Sequence, residues 1–279
     1  METRRIEWGR SALGRVRRGT THALRRLDSG RRELPDFLII GAQKAGTTSL
    51  HSYLCEHPSI AAPTTKEIHY FDHAYSRNLG WYRAHFGRRR PGQLSGEATP
   101  YYLFHPAVSK RVAQDLPGCR LIVLLRNPID RAYSQHHHES VLGFEDLPFE
   151  VAIERESTRL AGEEERILAD PDYSSFSHQH HSYLARGRYA EQLERWLEFV
   201  ERDQVLVMSA EDLFGDPGTV VSRVQDFLDI PRHRPGDLTA KNARSYAPIP
   251  PHLRDRLRAE FAPHNERLYA LVGRDFGWD

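Results

Sequence analysis

Residues 37–50 place a short apolar run, a glycine-flanked loop and a helical pattern in immediate succession, and few folds accommodate that order. Phe37-Leu-Ile-Ile40 is continuous rather than alternating, so a strand built from it is covered on both faces, as in a parallel sheet. The loop that follows, Gly41-Ala-Gln-Lys-Ala-Gly-Thr-Thr-Ser-Leu50, carries glycines at its first and sixth positions. From Thr47 to His57 the spacing of Leu50 and Leu54 predicts a helix. Glycines let such a loop turn tightly, and its N–H groups and the positive end of the helix then form a cradle for an anion.

The rest of the chain repeats the alternation. Strand-like runs stand at Gln93–Ala98, Cys119–Leu125 and Gln204–Met208. Helical patterns lie at Asn78–Phe86, Pro106–Leu116, Pro128–Val141, Tyr189–Glu201 and Thr219–Leu228. In one of them Leu193, Trp196, Leu197 and Val200 make the stripe of a half-buried helix. The expected fold is therefore a single α/β domain over 34–279, with a P-loop-like parallel β-sheet flanked by helices. A proline-rich loop at 231–250 precedes a last helix from Leu253 to Val272. Long loops in compact domains are often functional.

Composition narrows the setting. No apolar run approaches the roughly 18 residues of a membrane span, so no transmembrane segment is expected. Two cysteines, Cys55 and Cys119, build no disulfide framework, which points to a reducing, cytoplasmic location. Lys+Arg 39 against Asp+Glu 38 leaves +1, so no overall field marks a nucleic-acid partner. The charge is unevenly placed, with ten arginines against four acids in the arm 1–33. That arm reads as a solvated tail or as a basic clamp. Glu145 to Asp170 is acid-rich and reads as a solvated helical insertion or, over 143–182, as an acceptor flap. No motif speaks to oligomeric state.

The loop has the glycine spacing of a Walker A motif, but Thr47-Thr48 stands where Lys-Ser/Thr is required, and the lysine lies inside the loop at Lys44. The run Leu121–Leu125 leads into Arg126 rather than into a magnesium-binding aspartate. A magnesium-dependent NTPase is thereby disfavoured. Only four of the 39 basic residues are lysines, Lys44, Lys66, Lys110 and Lys241, and a compact ammonium does work that a planar guanidinium cannot. In Leu121-Ile-Val-Leu-Leu-Arg-Asn-Pro-Ile-Asp-Arg-Ala-Tyr-Ser134 the strand delivers Arg126 to its carboxyl end, and Ser134 falls two turns into the next helix. The two together can grip a second phosphate; Arg126 taken alone reads equally as a structural ion-pair member.

With these motifs in view the chain resembles the sulfotransferases that use 3′-phosphoadenosine 5′-phosphosulfate (PAPS). The loop around Lys44 is similar to their 5′-phosphosulfate loop, and Arg126 through Ser134 to their 3′-phosphate segment. Thr65-Lys-Glu-Ile-His-Tyr-Phe-Asp72 and Ser95-Gly-Glu-Ala-Thr-Pro-Tyr-Tyr102 resemble elements of the heparan-sulfate-type branch. The resemblance runs from about Pro35 to the C-terminus and fits a cytosolic, bacterial-type member. It departs at Lys241-Asn-Ala-Arg-Ser-Tyr246, where that branch has a lysine- and glycine-rich cofactor loop.

The resemblance implies PAPS as co-substrate, adenosine 3′,5′-bisphosphate (PAP) as product, and no required metal. It places Lys44 at the leaving-group oxygen, and Ala45, Gly46, Thr47, Thr48 and Ser49 around the 5′-phosphosulfate. Arg126 and Ser134 take the 3′-phosphate, with Lys241 and Arg244 covering the nucleotide. Glu67 matches the branch's base. His69 competes for that role because its ordinary pKa suits it better. Lys66 would keep Glu67 ionised or touch the sulfonate, and Asp72 would orient either base. Glu97 reads as a brace for the phosphate loop.

The acceptor is expected to be a hydroxyl, or an amine, of a carbohydrate or secondary metabolite. The neutral body speaks against a long polyanionic glycan. His137 is a candidate for the acceptor cleft, and Tyr75, Trp81 and Tyr82 are either acceptor-lining or core. Consecutive helical residues point about 100° apart, so His136, His137 and His138 cannot chelate one ion from one face; His178, His180 and His181 are the other histidine group. A small-molecule or nucleoside kinase and a non-catalytic sulfotransferase-like binding protein stand as rivals.

Overall fold

A computed structural model describes residues 28, 30, 32–241 and 247–278. The described residues include five parallel strands, β1 (Phe37–Gly41), β2 (Ile60–Ala61), β3 (Leu94–Ala98), β4 (Arg120–Leu125) and β5 (Val205–Ser209), in the order β2-β3-β1-β4-β5. Four were legible as strand-like runs. The fifth, β2, has two residues and exists through its pairing with β3, so no local pattern announces it. Every residue of β1 is buried, as its continuous apolar sequence requires.

The strand order positions the site. After β1 the chain builds β2 and β3 on one side, then crosses to lay β4 on the other. Connections leaving the carboxyl ends of β1 and β4 therefore diverge and open a crevice, the usual ligand position in such sheets. The loop after β1 is held to β4 by the Ala42 N–H, which donates to the Leu124 carbonyl at 2.6 Å. Gly41 is demanded by close approach, since a Cβ there would lie 2.6 Å from the Cβ of Leu103.

The principal helices are α1 (Thr47–Cys55), α2 (Val108–Asp115), α3 (Pro128–Leu142), α4 (Phe149–Leu160), α5 (Tyr189–Leu197), α6 (Pro217–Phe227) and α7 (Pro251–Val272). Asn127 caps α3 by accepting from the N–H groups of Ile129 and Asp130, Pro128 fills its first position, and Gly143 at φ +77° ends it. A second apolar cluster, distinct from the one around the sheet, joins Ile129 and Ala132 of α3, Phe149, Ala152 and Ile153 of α4, and Leu253, Leu257 and Phe261 of α7.

The acid-rich insertion is therefore packed as well as solvated. Glu156 accepts from the N–H groups of Leu184 and Ala185, and Glu145 accepts from Arg159 and from the Tyr183 hydroxyl. The aromatic residues offered as acceptor-lining belong to the core. Tyr82 is fully buried and stacks on Tyr70 at 4.5 Å, with Tyr75 and Trp81 packed against the same cluster. The basic arm up to residue 27 lies outside the described residues.

Candidate active site

A cavity of about 680 Å³ opens at the carboxyl ends of β1 and β4, and Lys44, Gly46, Thr47, Thr48, Ser49, Glu67, His69, Arg126, Ser134, His137 and Lys241 all line it. Residues up to 197 positions apart in sequence are thus gathered at one place by the strand order. Ala45, in the same loop, is fully buried and is not part of the lining. Lys66 and Asp72 stand behind the lining, and Arg244 lies outside the described residues.

The loop end has the geometry to receive an anion. Gly46 adopts φ +88° and begins α1 with no side-chain cap, which leaves the first turn's N–H groups to a ligand. A Cβ at Gly46 would come within 3.0 Å of Leu213 and Phe214, so glycine answers both the backbone and the space. The Arg126 guanidinium donates to the Lys44 carbonyl at 3.0 Å and lies over the Phe214 ring. Its own carbonyl accepts from the Tyr189 hydroxyl at 2.8 Å. Arg126 therefore joins the two strand ends. The loop before 241 is tied down on α1: the Lys241 N–H donates to Ser49 Oγ at 2.8 Å, and the Tyr53 hydroxyl lies 2.9 Å from the carbonyls of Leu238 and Thr239.

Across the cavity three acidic and imidazole groups stand in a chain. Glu67 Oε2 is 4.0 Å from His69 Nε2, and His69 Nδ1 is 2.6 Å from Asp72 Oδ2. Glu67 is the exposed end, and its other oxygen pairs with the Lys66 ammonium. Burial works against charging His69, but the hydrogen bond and negative charge of Asp72, with Glu67 and Glu97 beyond, outweigh it and raise its pKa above the ordinary imidazole value. Burial likewise opposes ionisation of Asp72, yet the bond from His69 and the nearby imidazoles leave its pKa lowered.

Glu97 has a different task from the one its position suggested. Its carboxylate is fully buried and accepts from the hydroxyls of Tyr82 (2.6 Å), Tyr102 (3.0 Å) and Thr99 (3.0 Å) and from the Ile68 N–H (3.2 Å). It braces the segment carrying Glu67 and His69, not the phosphate loop. Both those residues sit at positive φ, 58° and 55°, an uncommon backbone that such anchoring maintains.

Sequence reading missed Gln43, Tyr101, Glu139 and Arg186, which also line the cavity, as do His138 and His180 from the two histidine groups. The spacing Ser134, His138, Leu142 was the available signal for α3; Arg186 offered none. The suspected histidine groups disperse. His136 turns from the cavity to the Leu147 carbonyl, while His137 and His138 line it. His178 bonds the Tyr101 hydroxyl, His180 lies 2.9 Å from Glu139, and His181 bonds the Phe144 carbonyl. Among the described residues His69, Asp72 and His73 do bring ligand atoms within 4.8 Å of one another, a grouping sequence spacing did not suggest.

The chain matches the sulfotransferase domain family over residues 34–245. It is 30% identical to the membrane-associated sulfotransferase kil1 of Dictyostelium discoideum, over 88% of this chain and 66% of that protein. It is 31% identical to heparan sulfate glucosamine 3-O-sulfotransferase 3A1 of Mus musculus, over 96% of this chain and 70% of that protein. The chain thus spans about two thirds of the length of these curated relatives. A crystal structure of a sulfotransferase from Alicyclobacillus acidocaldarius is similar to it with TM-score 0.70 and 33% identity, covering 88% of this chain and 99% of that one.

Proposed function

The chain belongs to the sulfotransferase domain family, and on that premise we propose that it transfers a sulfuryl group from PAPS to a carbohydrate hydroxyl, with Glu67 as the base. One observation carries the reading: the Lys44 loop, the Arg126–Ser134 segment and the Glu67–His69–Asp72 chain all meet at one cavity. PAPS supplies the sulfuryl group and a bisphosphate leaving group. Lys44 neutralises charge at the departing oxygen, while the start of α1 holds the phosphosulfate. Arg126 and Ser134 hold the 3′-phosphate, the feature that separates this donor from ATP.

Between the two candidate bases the electrostatics favour Glu67. With its pKa raised beside Asp72, His69 is biased toward the imidazolium, which cannot accept a proton and instead steadies the Glu67 carboxylate. Carbohydrate hydroxyls are the acceptors named for the 3-O-sulfotransferase relatives. The kinase alternative is not favoured, because Lys44 stands inside the loop and Thr47-Thr48 replaces the required pair. A cytoplasmic setting stays part of the proposal on cysteine usage alone.

Calorimetry with PAP and with adenosine 5′-monophosphate tests the donor assignment. PAP should bind at least tenfold more tightly, and Arg126→Ala should erase most of that preference, because a charge-assisted bond contributes about 1.5–3 kcal/mol. Equal affinity of the unaltered chain for the two nucleotides would overturn the assignment.

A further inference from the structure

Helix α3 turns one face to the cavity. Ser134, His138 and Leu142 all line it and stand four residues apart, so they form one stripe, with His137, three residues after Ser134, beside it. Eight residues of helix separate Ser134 from Leu142, about 12 Å, so the stripe leads from the 3′-phosphate segment to a region no donor contact requires. That region ends on an apolar rim. Leu142, Phe144 and Phe176 are 48%, 40% and 50% exposed. The two phenyl rings meet edge-on at 5.5 Å, and each packs 4.6 Å from the ring of His180, itself part of the lining.

Charge in this region is unsuited to an anion. Glu139 lines the cavity with a buried carboxylate, 2.9 Å from His180 Nδ1 and 3.5 Å from Gln43 Nε2. Besides His69, whose imidazole is bonded to Asp72 and faces Glu67, the cationic lining residues among those described are Lys44, Arg126, Lys241 and Arg186. The first three lie on donor-binding segments. Arg186 is engaged by the protein, donating to Gln43 Oε1 at 2.6 Å, to Ser182 Oγ at 2.7 Å and to the carbonyls of His178 and Gln179. Among the described residues, an acceptor bearing sulfates or carboxylates would meet Glu139 and Glu67 here with no guanidinium left over from donor binding or internal bonds, an arrangement that costs affinity.

We infer that the acceptor is an uncharged glycoside whose alkyl or aryl substituent lies on Leu142, Phe144 and Phe176 while its sugar hydroxyl faces Glu67, with Phe144 and Phe176 setting acceptor specificity. This rests on the sulfotransferase reading. Exposed aromatic side chains packed on His180, a lining residue of the cavity, mark an apolar recognition site, and that packing leads the substituent toward the crevice that holds Glu67.

The test is binding of octyl β-D-glucoside, below its micelle threshold, and of 4-nitrophenyl β-D-glucoside to the full chain saturated with PAP. Glucose and an N-sulfated uronate oligosaccharide serve as comparison acceptors. At least one glycoside should bind about tenfold or more tightly than either, on the scale of apolar burial. Phe144→Ser/Phe176→Ser should abolish that advantage and leave the PAP titration unchanged. Saturable binding of neither glycoside, tighter binding of the oligosaccharide, or an unaltered glycoside affinity in the double variant would each overturn the inference. Loss of PAP binding in the unaltered chain would instead overturn the sulfotransferase reading beneath it.

Discussion

Nδ1 of His69 lies 2.6 Å from Oδ2 of Asp72, a carboxylate with no exposed surface of its own. The contact fixes the imidazole with its other nitrogen toward Glu67, so the proposed base depends on a residue outside the cavity lining. His69 is on this account a positioning residue, and Asp72 acts through it.

The pair makes stability depend on pH in a defined direction. A raised His69 pKa contributes stability that is complete below the ordinary imidazole value and fades as pH rises through the raised one. A lowered Asp72 pKa contributes stability present above the ordinary value of 3.8 and lost as pH falls through the lowered one. Asp72→Asn should therefore cost most near pH 5–6, about 1.5–3 kcal/mol, and less by pH 9. Thermal melts of both proteins across that range read the difference; a constant gap would separate Asp72 from His69 titration.

Lys44→Ala should lower kcat by about 10²–10³, the size of losing one transition-state charge contact, while PAP affinity changes less. Lys44→Arg should recover little, because a planar fork does not replace a point charge beside one oxygen. Steady-state PAPS turnover with calorimetry of PAP separates the two effects. Near-normal turnover in Lys44→Ala would remove the lysine from the leaving group.

At Gly46 a side chain meets two obstacles. Its φ of +88° is costly for an L-residue, about 1–2 kcal/mol, and Leu213 and Phe214 stand 3.0 Å from the added Cβ. Gly46→Ala should lower the melting temperature by several degrees and weaken PAP binding together, because the same turn presents the start of α1. A variant that melts lower but binds PAP normally would show that the cradle does not depend on this turn.

Glu97→Gln should slow turnover more than it weakens donor binding. Its carboxylate accepts four hydrogen bonds, and an amide places a donor against some of those donors, a loss of about 1–3 kcal/mol. The Ile68 N–H among them anchors the segment of Glu67 and His69, whereas the phosphate loop has separate supports. Measured kcat and PAP affinity that fall in parallel would place the brace under the whole site instead.

Much of the loop and strand ends assigned to the donor was legible because it is built from local signals. An apolar run, two glycines and a displaced lysine describe the β1–α1 turn without reference to any other part of the chain. Pro128, Asn127 and the run before Arg126 do the same for the segment from Arg126 to Ser134. Tyr82 and Trp81 were ambiguous for the converse reason, since an aromatic stripe has the same spacing whether it faces a ligand or a core. Only the stacking of Tyr82 on Tyr70 decides it.

The amino-acid order alone determined the alternation of elements, the anion loop and its lysine, because backbone conformation and hydrophobic periodicity act over a few residues. The tertiary structure decided what meets that loop. Strand order across the switch between β1 and β4 brought Glu67, Arg126 and Lys241 to one crevice, aimed Glu97 at the segment of Glu67 and His69, and set Phe144 beside His180. These are contacts between side chains tens to more than a hundred positions apart, and no local rule encodes which of them a sheet will draw together.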